Sequence, residues 1–151
     1  MGRLVLAGNH AGLSHVLFGE GRHRAKPNPG WQEDREPLIE VERQLRAYFA
    51  GELEKFEITL APKGTAFQQS VWKELCSIPY GETISYGELA RRIGNPKASR
   101  AVGLANGSNP ISVIVPCHRV IGSNGKLTGY GGGLNIKEKL LALERKQLRL
   151  L

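Results

Sequence analysis

Residues 85–107 read as two short helices joined by a tight turn, and this pattern constrains the fold more than any other stretch. Ser85-Tyr86-Gly87-Glu88 has the capping-box spacing, with Ser85 as cap and Glu88 three residues on. The helix it opens stops near Gly94, Asn95-Pro96 turns the chain, and a second helix runs from Lys97 to about Asn106. Two short helices about such a turn form a helix-turn-helix. The second helix is unusual for a reader of sequence. Ala98, Ser99, Ala101, Val102, Gly103, Ala105 and Gly107 are small, and Arg100 is the one long cation in its middle. A smooth helix can lie close to a nucleic-acid groove without reading bases. The alternative is a tightly packed internal helix. On the first reading Arg100 can take the space vacated by an extruded base, a step that costs a few kcal/mol of unstacking.

Charge divides the chain at the same place as the pattern. Residues 1–62 carry 8 Lys/Arg against 9 Asp/Glu, whereas residues 63–151 carry 13 against 5. That asymmetry predicts two modules, 1–62 and 63–151, the second facing a polyanion; the alternative is a solvated basic surface. The first module reads as α/β. Arg3–Ala7 and Leu13–Phe18 flank a Gly/Asn turn as a hairpin does. Residues 19–35 are a loop, and Pro37 opens a helix whose Leu38, Val41, Leu45, Tyr48 and Phe49 share a face until Gly51 stops it. Phe56, Ile58 and Leu60 alternate as in a half-buried strand, and Ala61-Pro62-Lys63-Gly64 is the expected linker.

The second module is mainly helical. Thr65 caps a helix to about Cys76, with Phe67, Val71 and Leu75 on one face and Cys76 read as a buried structural thiol. The apolar run Ile111–Val115 reads as a buried strand that ends on Pro116-Cys117-His118-Arg119. A cysteine is a nucleophile only as its thiolate, and nearby positive charge or a base lowers its pKa from about 8.5. Asn135 and Glu138 predict a capped last helix, on which Leu143, Ile136, Leu140, Leu148 and Leu141 span one apolar arc. Glu144 falls inside that arc. A buried carboxylate needs a donor, and His118 is the expected one; the alternative is a frayed edge, with Glu144 pairing to Lys137 or Lys146. A Glu144–His118–Cys117 relay would make the sulfur nucleophilic, although Cys–His pairs also serve proteases and do not fix the substrate.

Taken with their flanks, these residues resemble the O6-alkylguanine-DNA alkyltransferases. The resemblance is carried by Pro116-Cys117-His118-Arg119-Val120-Ile121, Arg100-Ala101-Val102-Gly103, Asn109-Pro110, Tyr130-Gly131-Gly132-Gly133 and Leu140-Leu141-Ala142-Leu143-Glu144. Phe67–Trp72 and Ile78–Thr83 also fit. It implies a small antiparallel sheet plus helix, ribonuclease H-like, followed by a mainly α winged helix-turn-helix-like domain. It further implies single-turnover transfer of the alkyl group of O6-alkylguanine in duplex DNA to Cys117. His118, through a water, would deprotonate Cys117, with Glu144 orienting His118 and Asn109 bracing the site at a hinge. Tyr86 would donate to guanine N3, and Arg100 would intercalate. Ala98, Ser99, Ala101 and Gly103 would line the minor groove. Tyr130 and the Gly131 N–H would wall the base pocket, and the carbonyls of Cys117 and Val120 would accept from the exocyclic amine.

The product thioether is a poor leaving group, so each molecule would act once, without a cofactor. No metal is expected, because no Cys or His pair has zinc-ligand spacing. No run of about 18 apolar residues predicts a membrane span, and two cysteines with no export signal predict the cytosol. A monomer is expected, with cooperative binding on DNA left open. Two other readings stay in view: a non-catalytic lesion binder, against which Cys117 speaks, and a regulator that senses alkylation through its cysteine.

Overall fold

A computed structural model describes residues 3–19, 36–127, 130 and 133–149, the side chains of 146–149 excepted. Nearly all of the loop read over 19–35, Gly131, and the side chains of Lys146 and Leu148 lie outside the described residues.

The first half builds on a hairpin. Strands β1 (Leu4–Asn9) and β2 (Gly12–Phe18) pair antiparallel, Leu4 opposite Phe18, with a register shift between Ala7 and Gly8. The Asn9 side chain accepts from the Ala11 N–H at 2.8 Å and so closes the turn locally. A 3₁₀ turn at Glu36–Leu38 leads into α1 (Ile39–Phe49), whose Val41, Leu45 and Tyr48 are buried against the core. Gly51 follows with φ +78°, a left-handed stop that glycine adopts at no steric cost.

Residues 56–60, expected as a strand, form only a bridge from Leu60 to Leu13. The reason is local. The Gln44 side chain takes both the N–H (2.9 Å) and the carbonyl (3.2 Å) of Glu57, so those groups are spent on α1 rather than on a ladder. The linker then passes over the Trp72 ring, where a Cβ on Gly64 would stand 2.5 Å from a ring carbon. Only glycine fits beneath that ring.

The second half is helical. Thr65 and Gln68 form a reciprocal capping box that starts α2 (Ala66–Leu75). Cys76 stands just past the end of α2 and is exposed, not buried as its spacing suggested. The helix ends one residue earlier than expected, and the apolar face closes with Leu75 and Ile78. Ser85 accepts from the Glu88 N–H at 3.0 Å and caps α3 (Tyr86–Arg92); the Glu88 carboxylate turns instead to Arg91 and Arg92. Gly94 ends the turn at φ +81°, and α4 (Ser99–Gly107) follows. This is the helix-turn-helix. Helix α4 is fastened from behind by the Trp72 indole N–H, which donates to the Ala105 carbonyl at 2.9 Å. Its buried residues are Val102, Ala105 and Asn106, while Arg100, Ala101, Leu104 and Gly107 face outward. The internal-helix alternative is thereby excluded.

Short strands β3 (Ile84–Ser85) and β4 (Val120–Ile121) pair in parallel and tie α3 to the segment after Cys117. The last helix, α5 (Leu134–Arg149), starts one residue before the expected cap: the Lys137 N–H already donates to the Gly133 carbonyl, so Asn135 sits inside the first turn. No helix among the described residues is long and apolar enough to cross a membrane.

Candidate active site

Residues 111–115 do not form the expected strand. They coil into a compact turn between Pro110 and Pro116, hydrogen-bonded to β2 through Val16, which donates to Pro110 O (2.9 Å) and accepts from Ser112 N (3.1 Å). The Asn109 side chain replaces the ladder. Its Oδ1 accepts from Ile111 N (3.0 Å), and its Nδ2 donates to Val115 O (2.9 Å) and Ile111 O (3.4 Å). Within the turn, Ile114 N reaches back to Ser112 O at 2.9 Å, which forces Val113 to φ +72°. For a β-branched residue that conformation costs on the order of 1–3 kcal/mol. The buried surroundings of Val113, which is 1% exposed, hold it there. A single 3₁₀ turn, Cys117–Arg119, comes directly after this braced loop, and all three residues are buried.

Glu144 is the hub beneath that turn. The carboxylate is fully buried and accepts five hydrogen bonds. They come from Tyr48 Oη (2.5 Å), Gly81 N (3.2 Å), His118 Nε2 (2.7 Å), Arg119 Nε (2.9 Å) and Arg119 Nη2 (3.1 Å). Burial alone would push its pKa up, but His118 and Arg119 win and hold it down at about 2. Glu144 is thus ionised and can only accept, so His118 must carry its proton on Nε2. The other ring nitrogen, Nδ1, makes no hydrogen bond within the protein; it is a lone pair set at the base of the Cys117 turn. Burial outweighs the neighbouring carboxylate and lowers the pKa of His118, which keeps the ring neutral.

Arg119 does not serve the sulfur as the sequence suggested. It spends its guanidinium on Glu144 and on the Ile78 carbonyl (2.7 Å). Burial raises the Cys117 thiol above its ordinary value, and the Asn109 side chain and the Lys137 charge offset part of that rise. The resting sulfur is therefore a thiol that needs a base.

These groups leave a pH signature. Unfolding returns His118 to an ordinary value near 6.5, so the unfolded chain takes up a proton the folded one resists. Stability is full above that value and declines as pH falls through it. Glu144 works lower: its contribution is present above the ordinary 4.5 and is lost as pH falls toward 2. Urea midpoints measured against pH should fall in these two stages, and in a His118→Asn variant the upper stage should vanish. A midpoint flat from pH 7 to 5 in the parent would refute the buried neutral ring.

The remaining expected residues surround this turn. Tyr86, the first residue of α3, is half-buried, and its ring lies 3.8 Å from where a Gly103 side chain would begin. Tyr130 is buried, edge-on to Phe18 at 5.9 Å between centroids. Arg100 is exposed on α4, beside half-buried Ala98 and Ser99. The carbonyls of Cys117 and Val120 each already accept one bond, from Asn106 Nδ2 (3.3 Å) and Lys137 Nζ (2.6 Å). Asn106 and the Tyr48–Glu144 bond are what the sequence reading missed; Arg119 and Lys137 were noted there in other roles, beside the sulfur and as an alternative partner of Glu144. Lys137 was legible in principle: it stands seven residues from Glu144, on the same helical face. Among the described residues, no three His, Cys, Asp or Glu side chains cluster as metal ligands would.

Comparison with known proteins agrees across the whole chain. The family model described as 6-O-methylguanine DNA methyltransferase, DNA binding domain, matches residues 66–146, and the ribonuclease-like domain of the same family matches residues 1–62. A methylated-DNA–protein-cysteine methyltransferase of Methanosarcina acetivorans is 60% identical over 95% of this chain and 92% of its own length. One from Mycobacterium tuberculosis is 54% identical over 97% and 88%. The crystal structure of Mycobacterium tuberculosis OGT in complex with DNA superposes with a TM-score of 0.89, at 54% identity over 95% of this chain and 87% of that one. By both halves of its sequence and by the fold they build, the chain belongs to the methylated-DNA–protein-cysteine methyltransferases, which repair DNA by alkyl transfer to a cysteine.

Proposed function

We propose that the chain repairs O6-alkylguanine in duplex DNA by moving the alkyl group to Cys117, once per molecule and as a monomer. Residues 63–151 bind DNA and carry the acceptor; residues 1–62 support them, in part through the Tyr48–Glu144 bond. The observation that carries this reading is the Glu144–His118 bond, which leaves Nδ1 as a base one residue from a buried thiol. The thiol proton passes through a water to His118. The Cys117 sulfur attacks the alkyl carbon as the bond to O6 breaks, and the electron pair enters the guanine ring. Tyr86 donates toward N3, and the displaced base ends with the proton the thiol gave up. Atoms and charge balance with no cofactor.

DNA binding falls to the outward face of α4. Arg100 fills the stack behind the extruded base, and Ala98, Ser99, Ala101 and Gly103 give a smooth surface that suits a lesion found in any sequence. Asn109 braces the acceptor turn. Tyr130 walls the pocket, and the Cys117 and Val120 carbonyls keep a second lone pair for the exocyclic amine. The test is mass spectrometry after incubation with a duplex carrying one O6-methylguanine. A gain of about 14 Da on the Cys117 peptide, absent with undamaged DNA, is the signature of a nucleophilic thiolate. Tight lesion binding without a mass change would make the protein a non-catalytic lesion binder instead.

A further inference from the structure

The buried side of α1 brings a hydroxyl into the relay, and packing alone does not account for it. The Tyr48 ring is fully buried, with centroid distances of 5.3, 5.5 and 6.1 Å to the rings of Phe49, Phe56 and Tyr80. A phenylalanine would fill that space equally well, so the hydroxyl is the part that needs a reason. It donates at 2.5 Å to Glu144 Oε2, the same oxygen that accepts from His118 Nε2 at 2.7 Å and from Arg119 Nη2 at 3.1 Å. Oε1 takes Gly81 N and Arg119 Nε. A carboxylate oxygen offers about two lone-pair sites. Three donors therefore compete for Oε2, and Tyr48 makes the shortest bond of the three.

We propose that Tyr48 is a positioning residue that sets how strongly Glu144 grips His118, which makes the first half of the chain a working part of the relay and not only its support. The inference rests on Cys117 being the acceptor and His118 its base. A phenol that takes up part of the charge on Oε2 leaves less of it for the imidazole N–H. The ring is still held in one orientation, but its imidazolium form is stabilised less than it would be by an unshared carboxylate. That suits a group that must take a proton and then pass it on. A tightly paired imidazolium would keep the proton that the departing guanine needs. Burial and the Glu144 charge push the Tyr48 hydroxyl well above its ordinary value, so it remains a donor. The groups that face Glu144 are Tyr48 from α1, Tyr80 from the loop after α2, His118 and Arg119 from the acceptor turn, and Tyr130 from the pocket loop. Lys137, on α5 itself, adds its charge to those that His118 feels. Of the three phenols, Tyr48 is the one bonded to the carboxylate.

The test reads the His118 Nε2 proton by ¹H–¹⁵N NMR of the full chain without DNA, the signal being assigned by its loss in His118→Asn. Tyr48→Phe keeps the ring packing and removes the competing donor, so the His118 bond should tighten and its proton move downfield. Site-specific replacement of Tyr48 by a ring-fluorinated tyrosine, a more acidic phenol and a stronger donor, should move it upfield. Opposite shifts lie beyond a purely structural role. Transfer from an O6-methylguanine duplex, measured as a single-turnover rate against pH, gives the second readout. Transfer needs the neutral ring, and Tyr48→Phe should stabilise the imidazolium. The acid limb should therefore move up by about half to one pH unit, the worth of one hydrogen bond. On that limb the rate at a fixed pH should fall roughly three- to tenfold. If Tyr48→Phe does not fold, the fluorinated chain alone still decides by the sign of its shift. A proton signal that stays in place, or moves the same way in both chains, would overturn the proposal, as would coincident acid limbs. Absence of transfer in the parent would strike at Cys117 as acceptor, a failure that the DNA-free NMR reading keeps separate.

Discussion

Glu144→Ala should lower the unfolding free energy by about 3–5 kcal/mol, the range for removing one partner of a buried ion pair. Few single substitutions reach that size, and the reason lies in what is left behind. Arg119 is only 6% exposed, and its guanidinium would lose both carboxylate bonds while keeping only the Ile78 carbonyl. The Tyr48 hydroxyl, the Gly81 N–H and His118 Nε2 would lose their acceptor in the same step. Each buried donor so orphaned costs on the order of 1–3 kcal/mol, and the losses overlap because they share one cavity. Tyr48 belongs to α1 and Glu144 to α5, so the variant should also loosen the seam between the two halves of the chain. Urea unfolding followed by tryptophan fluorescence reads the loss directly. Transfer should fall even where the variant is fully folded, because an unanchored imidazole is free to place its proton on Nδ1. A loss under about 1 kcal/mol would mean that water replaces the carboxylate and that the buried network is not what holds this seam.

The parts of this site that were legible in the sequence are those fixed over a few residues or by an imbalance that demands a partner. Thr65 with Gln68 and Ser85 with Glu88 announce helix starts because the cap is made three residues away. Glu144 announced a partner because a carboxylate in an apolar arc is untenable alone, and His118 was the nearest chemistry able to satisfy it. What could not be read was where side chains take over backbone work. Ile111–Val115 and Phe56–Leu60 have the composition of strands, yet Asn109 and Gln44 satisfy their polar groups from outside any ladder. Composition records what a segment prefers; it does not record that an amide side chain has already claimed its hydrogen bonds. Tyr48 was legible as core from its spacing on α1, but its bond to a residue 96 positions away was not. Cys76 failed for a simpler reason: the helix ended one residue short, and the last place on an apolar face became the first place outside it.

Cys117→Ser should abolish alkyl transfer while leaving lesion binding within about twofold of the parent, since phosphate contacts dominate affinity for DNA. Serine fits the space of cysteine, and the acceptor turn is held by Asn109, Asn106 and the backbone rather than by the sulfur. What changes is the nucleophile. A buried thiol is already hard to ionise here, and a hydroxyl in the same place, with a far higher pKa, gives His118 no anion to generate at neutral pH. The parent should consume one methyl group per chain and then stop, because a thioether offers sulfur no way back. Titration of lesion duplex against protein should therefore show a break at one equivalent in the parent and no transfer in the serine variant. Cys76 provides the internal control. It is exposed just past the end of α2, so Cys76→Ser should transfer as the parent does. Methyl recovered on Cys76, or transfer surviving in Cys117→Ser, would move the acceptor away from the His118–Glu144 pair. In that event the buried network would stand as a purely structural lock. On the proposed reading the two cysteines separate what the fold exposes from what the site activates: the accessible sulfur is expected to stay inert, and the buried one to react because a base has been oriented for it.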